Sequence, residues 1–256
     1  MAWTRTYEDG EPQRVNKWLG QSGVCSRREA EALIEAGLVS IDGETVTDAG
    51  RKILPGQTLT LADKAQKKLG SALTIMIHKP EGIVSSQPEG EQIPAVRLIR
   101  FDSLWGSADV VPGRDSKLAP VGRLDMDSRG LLIMSEDGVV AKAVIGPQSV
   151  LEKEYLVRVK GEITDRALGL LRHGLELDER KLKPARVTKV EPQRLHFVLR
   201  EGRNRQIRRM CDLVGLDVTD LLRVRVGPIK LGDLPEGKWR PLTAEERAQL
   251  IAGKNA

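Results

Sequence analysis

Three stretches of the 256-residue chain carry side chains suited to catalysis or anion binding. In Pro120-Val-Gly-Arg-Leu-Asp-Met-Asp-Ser-Arg-Gly-Leu-Leu-Ile-Met-Ser135 a glycine-bracketed loop runs into an apolar strand. Arg123 lies two residues before Asp125, and a neighbouring guanidinium favours the ionised form of a carboxylate. An ionised carboxylate can act as a nucleophile or a general base. Asp127 competes for that role, and an isolated Arg-x-Asp reads first as a turn. The second stretch is Arg200-Glu-Gly-Arg-Asn-Arg-Gln-Ile-Arg-Arg-Met-Cys-Asp-Leu-Val-Gly215. On a helix at about 100° per residue, Ile207, Met210, Cys211 and Val214 share one face, and Arg205, Arg208, Arg209 and Asp212 the other. Three guanidiniums so placed repel one another unless they are solvated or hold an anion. The third, Leu151-Glu-Lys-Glu-Tyr-Leu-Val-Arg-Val-Lys160, is a strand with Tyr155 near its start. A tyrosine there either packs in the sheet or stacks on one extruded base.

Other chemistries find no support. Gly232-Asp-Leu-Pro-Glu-Gly237-Lys238 has the outline of a phosphate loop, but Trp239 stands where Ser or Thr must bind magnesium. His78, His173 and His196 have no metal-ligand spacing, and Cys25 and Cys211 form no C-x-x-C pair. No cofactor and no metal are expected. Aromatics are 3% of the chain, which disfavours a sheet that stacks several bases. Charge is +5, with 41 Lys and Arg against 36 Asp and Glu, a basic excess compatible with nucleic acid. There is no secretory h-region and no apolar run long enough to span a bilayer, so a cytoplasmic protein without a membrane partner is expected.

The surrounding pattern indicates what must hold these groups. Residues 1–11 read as a loose tail. Val15, Trp18 and Leu19 make a short amphipathic helix ending near Gly20. Ser26-Arg-Arg-Glu29 is a capping box that opens a helix carrying Ala30, Leu33 and Ile34 and stopping at Gly37. Asp42-Gly43 joins two short strands as a hairpin, and 57–61 alternates as another. This gives a small module over 12–62, then a lysine-rich linker at 62–72. The remainder, 73–247, has strands at 73–78, 131–135, 155–160, 194–200 and 222–226. Helices are expected at 139–145, 165–172 and 204–214. Strands outnumber helices without regular alternation, so the fold class is α+β with a mainly antiparallel mixed sheet.

Gly122-Arg-Leu-Asp125 followed by Ser128-x-Gly130-Leu-Leu, then Lys153-Glu-Tyr155, then Asn204-Arg-Gln-Ile-Arg-Arg-Met210 resemble, in order, the motifs of the bacterial S4-domain rRNA pseudouridine synthases. This is the subfamily of RsuA, RluB, RluE and RluF. Lys79-Pro80-x-Gly82 and Leu222-Arg-Val-Arg-Val-Gly-Pro228 also fit, and Asp127-Ser128-x-Gly130 with Glu152–Val157 leans toward RluF. The resemblance spans about 12–247. It implies an S4 RNA-binding domain whose Arg14, Lys17, Arg27 and Arg28 face RNA, followed by a pseudouridine synthase catalytic domain. It further implies isomerisation of a uridine in structured RNA, 23S rRNA foremost, by a monomer without a cofactor. Asp125 then matches the catalytic aspartate, Tyr155 the tyrosine that packs on the base, and Arg208 the arginine that pairs with the aspartate, with Arg205 a near alternative. Arg123, Arg205 and Arg209 would contact substrate.

The stretch 88–118 is longer and more polar than the family's usual one and is expected to shape substrate choice. Phe197 and Trp239 are read as core. Three rivals remain: a synthase for small-subunit rRNA or tRNA, a non-catalytic S4 protein on ribosomal RNA, and a glycosidase built on Asp125 and Asp127. The last lacks an aromatic sugar platform.

Overall fold

The computed structural model describes residues 3–113, 116–253 and 255, and the chain divides into two compact units. One holds the chain up to Leu73 together with Ser135–Lys142. The other holds Thr74–Met134 and everything from Ala143 onward.

In the first unit, helix Val15–Ser22 buries Val15, Trp18, Leu19 and Gly20. It runs past Gly20, where a Cβ would lie 3.1 Å from Cγ of the exposed Arg27 side chain. Gly23, at φ 78°, supplies the left-handed stop instead. Ser26 opens helix Arg27–Glu35 as expected. Its Oγ accepts from the Glu29 backbone N–H at 3.3 Å, and Glu29 Oε2 accepts from the Ser26 N–H at 2.6 Å. Ser26→Ala removes half of this exchange and should lower stability by about 1 kcal/mol, read as a shift in denaturation midpoint without a change in slope.

The hairpin Val39–Ile41/Glu44–Thr45 turns through Asp42 and Gly43 at φ 50° and 86°, the left-handed pair that a two-residue turn of this hand requires. Asp42 also accepts from the Thr58 N–H at 2.8 Å, tying strand Thr58–Leu61 to the hairpin.

Two expectations fail here. The supposed loose tail contains strand Trp3–Thr6, paired antiparallel with Thr58–Leu61 and linked through Thr4–Thr60 and Thr6–Thr58 hydroxyls. Tyr7 and Trp3 pack on Trp18, with ring centroids 5.4 and 6.2 Å away, so apolar burial fixes a segment whose other residues are polar. The supposed linker is helix Asp63–Gly70, whose lysines are good helix formers and whose Ala65 and Leu69, four apart, pack on the core.

The second unit is built on a nine-stranded sheet among the described residues. Its main path runs 186–191, 194–199, 153–160, 217–226, 129–135, 74–79 and 239–241. Strand Lys153–Lys160 is antiparallel to both neighbours, Arg194–Leu199 and Asp217–Val226. Leu222 and Arg223 pair in parallel with Arg129 and Gly130. The expected α+β, mainly antiparallel architecture is what the chain adopts.

A bulge opposite Glu154/Tyr155 leaves Val224 without a register partner on strand Lys153–Lys160, so Arg223 and Arg225 point to opposite faces although they are two apart. Arg223 joins the Tyr155 side, and Arg225 the Glu154 side. Helix Asp165–Arg172 falls where the periodicity put it, capped by Thr164 at 3.1 Å. Phe197 and Trp239 are fully buried. Trp239 opens a strand, which removes any helix after the false phosphate loop, and its indole donates to the Arg100 carbonyl at 2.8 Å. Cys25 and Cys211 are buried thiols pushed up to about 12 by desolvation, and they pack as core residues. No described helix is long and apolar enough to cross a membrane.

Candidate active site

A cavity of about 750 Å³ in the second unit gathers the three chemical stretches. Asp125 and Ser128 enter from the loop after Ala119–Val121, Lys153 and Tyr155 from the central strand, and Arg205 and Arg208 from the start of helix Gln206–Asp212. Residues two apart on a strand share a face, which is why Lys153 and Tyr155 line the same wall. Tyr155 is largely buried, with Phe197 and Arg223 as its cross-strand partners.

The loop that carries Asp125 is held through its backbone. Gly122 turns it at φ 86°. Buried Arg223 donates to the carbonyls of Leu131 at 2.7 Å, Gly122 at 2.8 Å and Arg123 at 3.2 Å, a full guanidinium spent on three loop and strand oxygens. Ser85 adds a reciprocal pair, its Oγ donating to the Leu124 carbonyl at 2.6 Å and accepting from the Leu124 N–H at 2.9 Å. Gly82 N–H donates to the Met126 carbonyl at 2.8 Å, and the Ser128 N–H closes the turn onto the Asp125 carbonyl at 3.2 Å. Sequence reading did not find Ser85 or the role of Arg223. An arginine in a valine-rich strand was the available signal for Arg223, and Ser85 gave none.

Arginine placement differs from expectation. Arg205 is not on the helix but is its N-cap, in a left-handed conformation at φ 47°. That geometry swings its guanidinium to Asp127, with bonds of 2.8 and 3.2 Å, and to within 3.8 Å of Asp125. Arg208 faces Asp127 rather than Asp125. Its Nε lies 3.3 Å from Asp127 Oδ2, Nη2 donates to the Asp127 carbonyl at 2.5 Å, and Nη1 donates to the Val218 carbonyl at 3.1 Å. Among the described residues the guanidinium paired with Asp125 is therefore that of Arg205. Arg123, expected to attend Asp125, is exposed at the cavity wall and makes no ion pair with it there.

Arg209 turns away altogether, in a two-bond pair with Asp178 at 2.7 and 3.0 Å. The three arginines thus do not act as one cluster, and the anions that relieve their repulsion are carboxylates of the chain itself.

These neighbours set the charge states. Burial works to raise the Asp127 carboxyl, but the Arg205 hydrogen bond and the charges of Arg208 and Arg205 outweigh it and hold Asp127 below the usual range. Burial, with the Arg223 charge, brings Lys153 down to about 8. Lys79 is likewise lowered to about 8 by burial, and its ammonium donates to the carbonyls of Pro80 at 2.8 Å and Ile83 at 2.7 Å.

In the first unit Arg14 and Lys17 share a shallow hollow with Lys52, while Arg27 and Arg28 are exposed on the next helix. None of the described residues in 88–118 lines the cavity. They form two short 3-10 turns, Ala95–Leu98 and Phe101–Ser103.

Residues 73–213 match the RNA pseudouridylate synthase family, and residues 13–59 match the S4 domain. The chain is 33% identical over 240 residues to the dual-specificity RNA pseudouridine synthase RluF of Salmonella typhi, covering 93% of this chain and 78% of that one. It is 31% identical over 255 residues to the ribosomal large subunit pseudouridine synthase B of Bacillus subtilis, covering 95% and 99%. A crystal structure of a pseudouridylate synthase shares the fold, with a TM-score of 0.64 at 24% identity over 93% of this chain and 99% of that one. With a family match across more than half its length and relatives above 30% identity along nearly all of it, the chain belongs to the RNA pseudouridylate synthase family, with an S4 domain at its N-terminal end.

Proposed function

We propose that this protein converts a specific uridine of ribosomal RNA to pseudouridine, with 23S rRNA as substrate and Asp125 as the catalytic carboxylate. The observation that supports this most is the meeting of Asp125, Tyr155 and Arg205 in one cavity, from segments otherwise far apart in the chain. The reaction breaks the C1′–N1 bond, turns the base and joins C5 to C1′. N1 gains a proton and C5 loses one, so the composition of the RNA does not change. Asp125 can serve by attacking C1′, as the nucleophile of a retaining glycosidase does, or by taking a proton at C2′. Either role draws on the carboxylate oxygens, and the Arg205 guanidinium stands 3.8 Å from one of them. Tyr155 offers a flat wall for the extruded base, which must leave its stack to be reached. Arg208 acts through Asp127, which it helps fix, and Arg123 at the wall contacts the backbone of the substrate.

In this reading the 12–62 module tethers RNA through Arg14, Lys17, Arg27 and Arg28 while 73–247 does the chemistry, in the cytoplasm and as a monomer. The large-subunit assignment draws on the name of the Bacillus subtilis relative. It is tested by mapping pseudouridine in unmodified 23S, 16S and tRNA transcripts after incubation with the protein. Modification confined to 23S supports the assignment, and modification confined to 16S or tRNA overturns it.

Lys153 gives a pH signature. It loses its charge as pH rises through about 8 instead of its ordinary 10.5, so a cation facing the RNA disappears in that range. RNA affinity should fall as pH rises through about 8, and Lys153→Gln should be weaker at neutral pH and flatter across that range, measured by filter binding. The effect on folding has the opposite sign: between about 8 and 10.5 the unfolded chain binds the extra proton, so this group makes the fold more stable as pH rises there.

A further inference from the structure

Glu152 stands one residue before the central strand and is almost fully buried, yet it holds three arginines. Arg186 donates to it at 2.8 Å, Arg200 at 3.1 and 3.2 Å, and Arg225 at 3.1 Å. Burial would raise this carboxyl, but hydrogen bonds from Arg225 and Arg200 and the charge of Arg186 keep it below the usual range, so it stays an anion at neutral pH. Arg225 is buried and is shared with Glu154, which also meets His196 at 3.4 Å. Arg186 and Arg200 differ from it: their side chains are 67% and 65% exposed while the carboxylate beneath them is 7% exposed.

A buried carboxylate that pins two arginines by their inner edges leaves the outer edges of both guanidiniums pointing at solvent, already ordered. Arg200 lines the cavity beside Lys183, an exposed lysine with no ion pair among the described residues. The nearby Glu201 does not cancel Lys183, since it is engaged by Arg203 at 3.6 Å and by the Gln206 amide at 3.0 Å. Glu152 and Glu154 together thus meet three arginines, Arg186, Arg200 and Arg225, and Lys183 adds a further cation on the cavity wall.

We infer that Lys183 and Arg200 at the cavity rim, with Arg186 beside Arg200 on their shared carboxylate Glu152, form a phosphodiester-binding site that grips the RNA backbone beside the target uridine. The excess positive charge, its exposure and its preordering by Glu152 all select an extended polyanion, and guanidinium forks match the paired oxygens of a phosphodiester. The site rests on the proposed RNA substrate. It deepens that reading by giving the catalytic domain its own grip, separate from the S4 module, so that the flanking strand is fixed where the base is extruded.

The test is the salt dependence of binding to an unmodified 23S rRNA transcript, measured with the full chain. Each phosphate contact removed flattens the slope of log affinity against log salt by about 0.7 to 0.9. Lys183→Gln should lower the slope by one such step, and Lys183→Gln with Arg186→Gln by two. Lys189→Gln, which removes an exposed lysine from the opposite face of the strand that carries Arg186, should leave it unchanged. If loss of Arg186 unsettles Glu152, the Lys183 variant alone still decides, because its side chain has no ion-pair partner among the described residues to orphan.

Equal slopes for wild type, Lys183→Gln and the double variant would overturn the site. So would an equal drop in Lys189→Gln, because it would mean that only net charge matters. Tritium release by the wild type on the same RNA separates the two claims. Turnover with unaltered slopes discards the rim site and keeps the enzyme, while altered slopes without turnover keep the site and discard the activity.

Discussion

Asp125→Asn should bind RNA as tightly as the wild type and turn it over at least about a thousandfold more slowly. The amide keeps the shape of the side chain, and the loop is held by groups that the change does not touch. Arg223 grips the carbonyls of Gly122 and Arg123, and Ser85 grips Leu124. What is lost is the ionisable oxygen that either attack at C1′ or proton removal at C2′ requires. Arg205 keeps its two-bond pair with Asp127, so the cation beside the site remains in place and no buried charge is stranded. Binding and single-turnover rates measured side by side check this. An active Asp125→Asn would remove the carboxylate from the mechanism.

The second large effect concerns Gly130, two residues after Ser128. Its φ of 111° lies in the left-handed region that L side chains rarely adopt. A Cβ there would collide with the backbone carbonyl oxygen of Arg223 and stand 2.7 Å from the Arg223 nitrogen, because strands 129–135 and 217–226 meet at this point. Neither obstacle is a flexible side-chain tip. Gly130→Ala should therefore cost roughly 3 to 5 kcal/mol, backbone strain and overpacking together. It should also displace the Arg223 clamp and with it the Asp125 loop. Denaturant unfolding should show a large drop in midpoint, and the folded remainder should be poorly active. A midpoint within about 0.5 kcal/mol of wild type would mean that the strands are not packed this closely.

Much of this was legible in the residues, for reasons that can be named. The capping box at Ser26, the Asp42-Gly43 turn and helix Asp165–Arg172 follow from local rules whose partners lie within a few positions, and the structure keeps them. The motif order also brought Asp125, Tyr155 and the arginine segment to one cavity.

What was hidden depends on distant pairing. The N-terminal strand exists because Trp3 and Tyr7 find Trp18, and nothing in the polar residues between them announces it. Helical periodicity placed Arg205 beside Arg208 and Arg209, but a left-handed N-cap brings Arg205 to share Asp127 with Arg208, while Asp178 draws Arg209 away from both. Strict alternation would set Arg223 and Arg225 on one face, and a single bulge separates them into a loop clamp and the ligand of Glu152. A bulge leaves no mark in the hydrophobic pattern of one strand, because it is a property of two.

The central claim is tested most directly by tritium release from RNA carrying 5-tritiated uridine, comparing wild type with Asp125→Asn on an unmodified 23S transcript. Joining C5 to C1′ must expel the C5 hydrogen, so the label reports the isomerisation itself. The wild type should release one tritium per target uridine with no added metal or cofactor, and Asp125→Asn should release none above background. Equal release by both would contradict the role of Asp125, and no release by the wild type from this or any other rRNA or tRNA would contradict the activity.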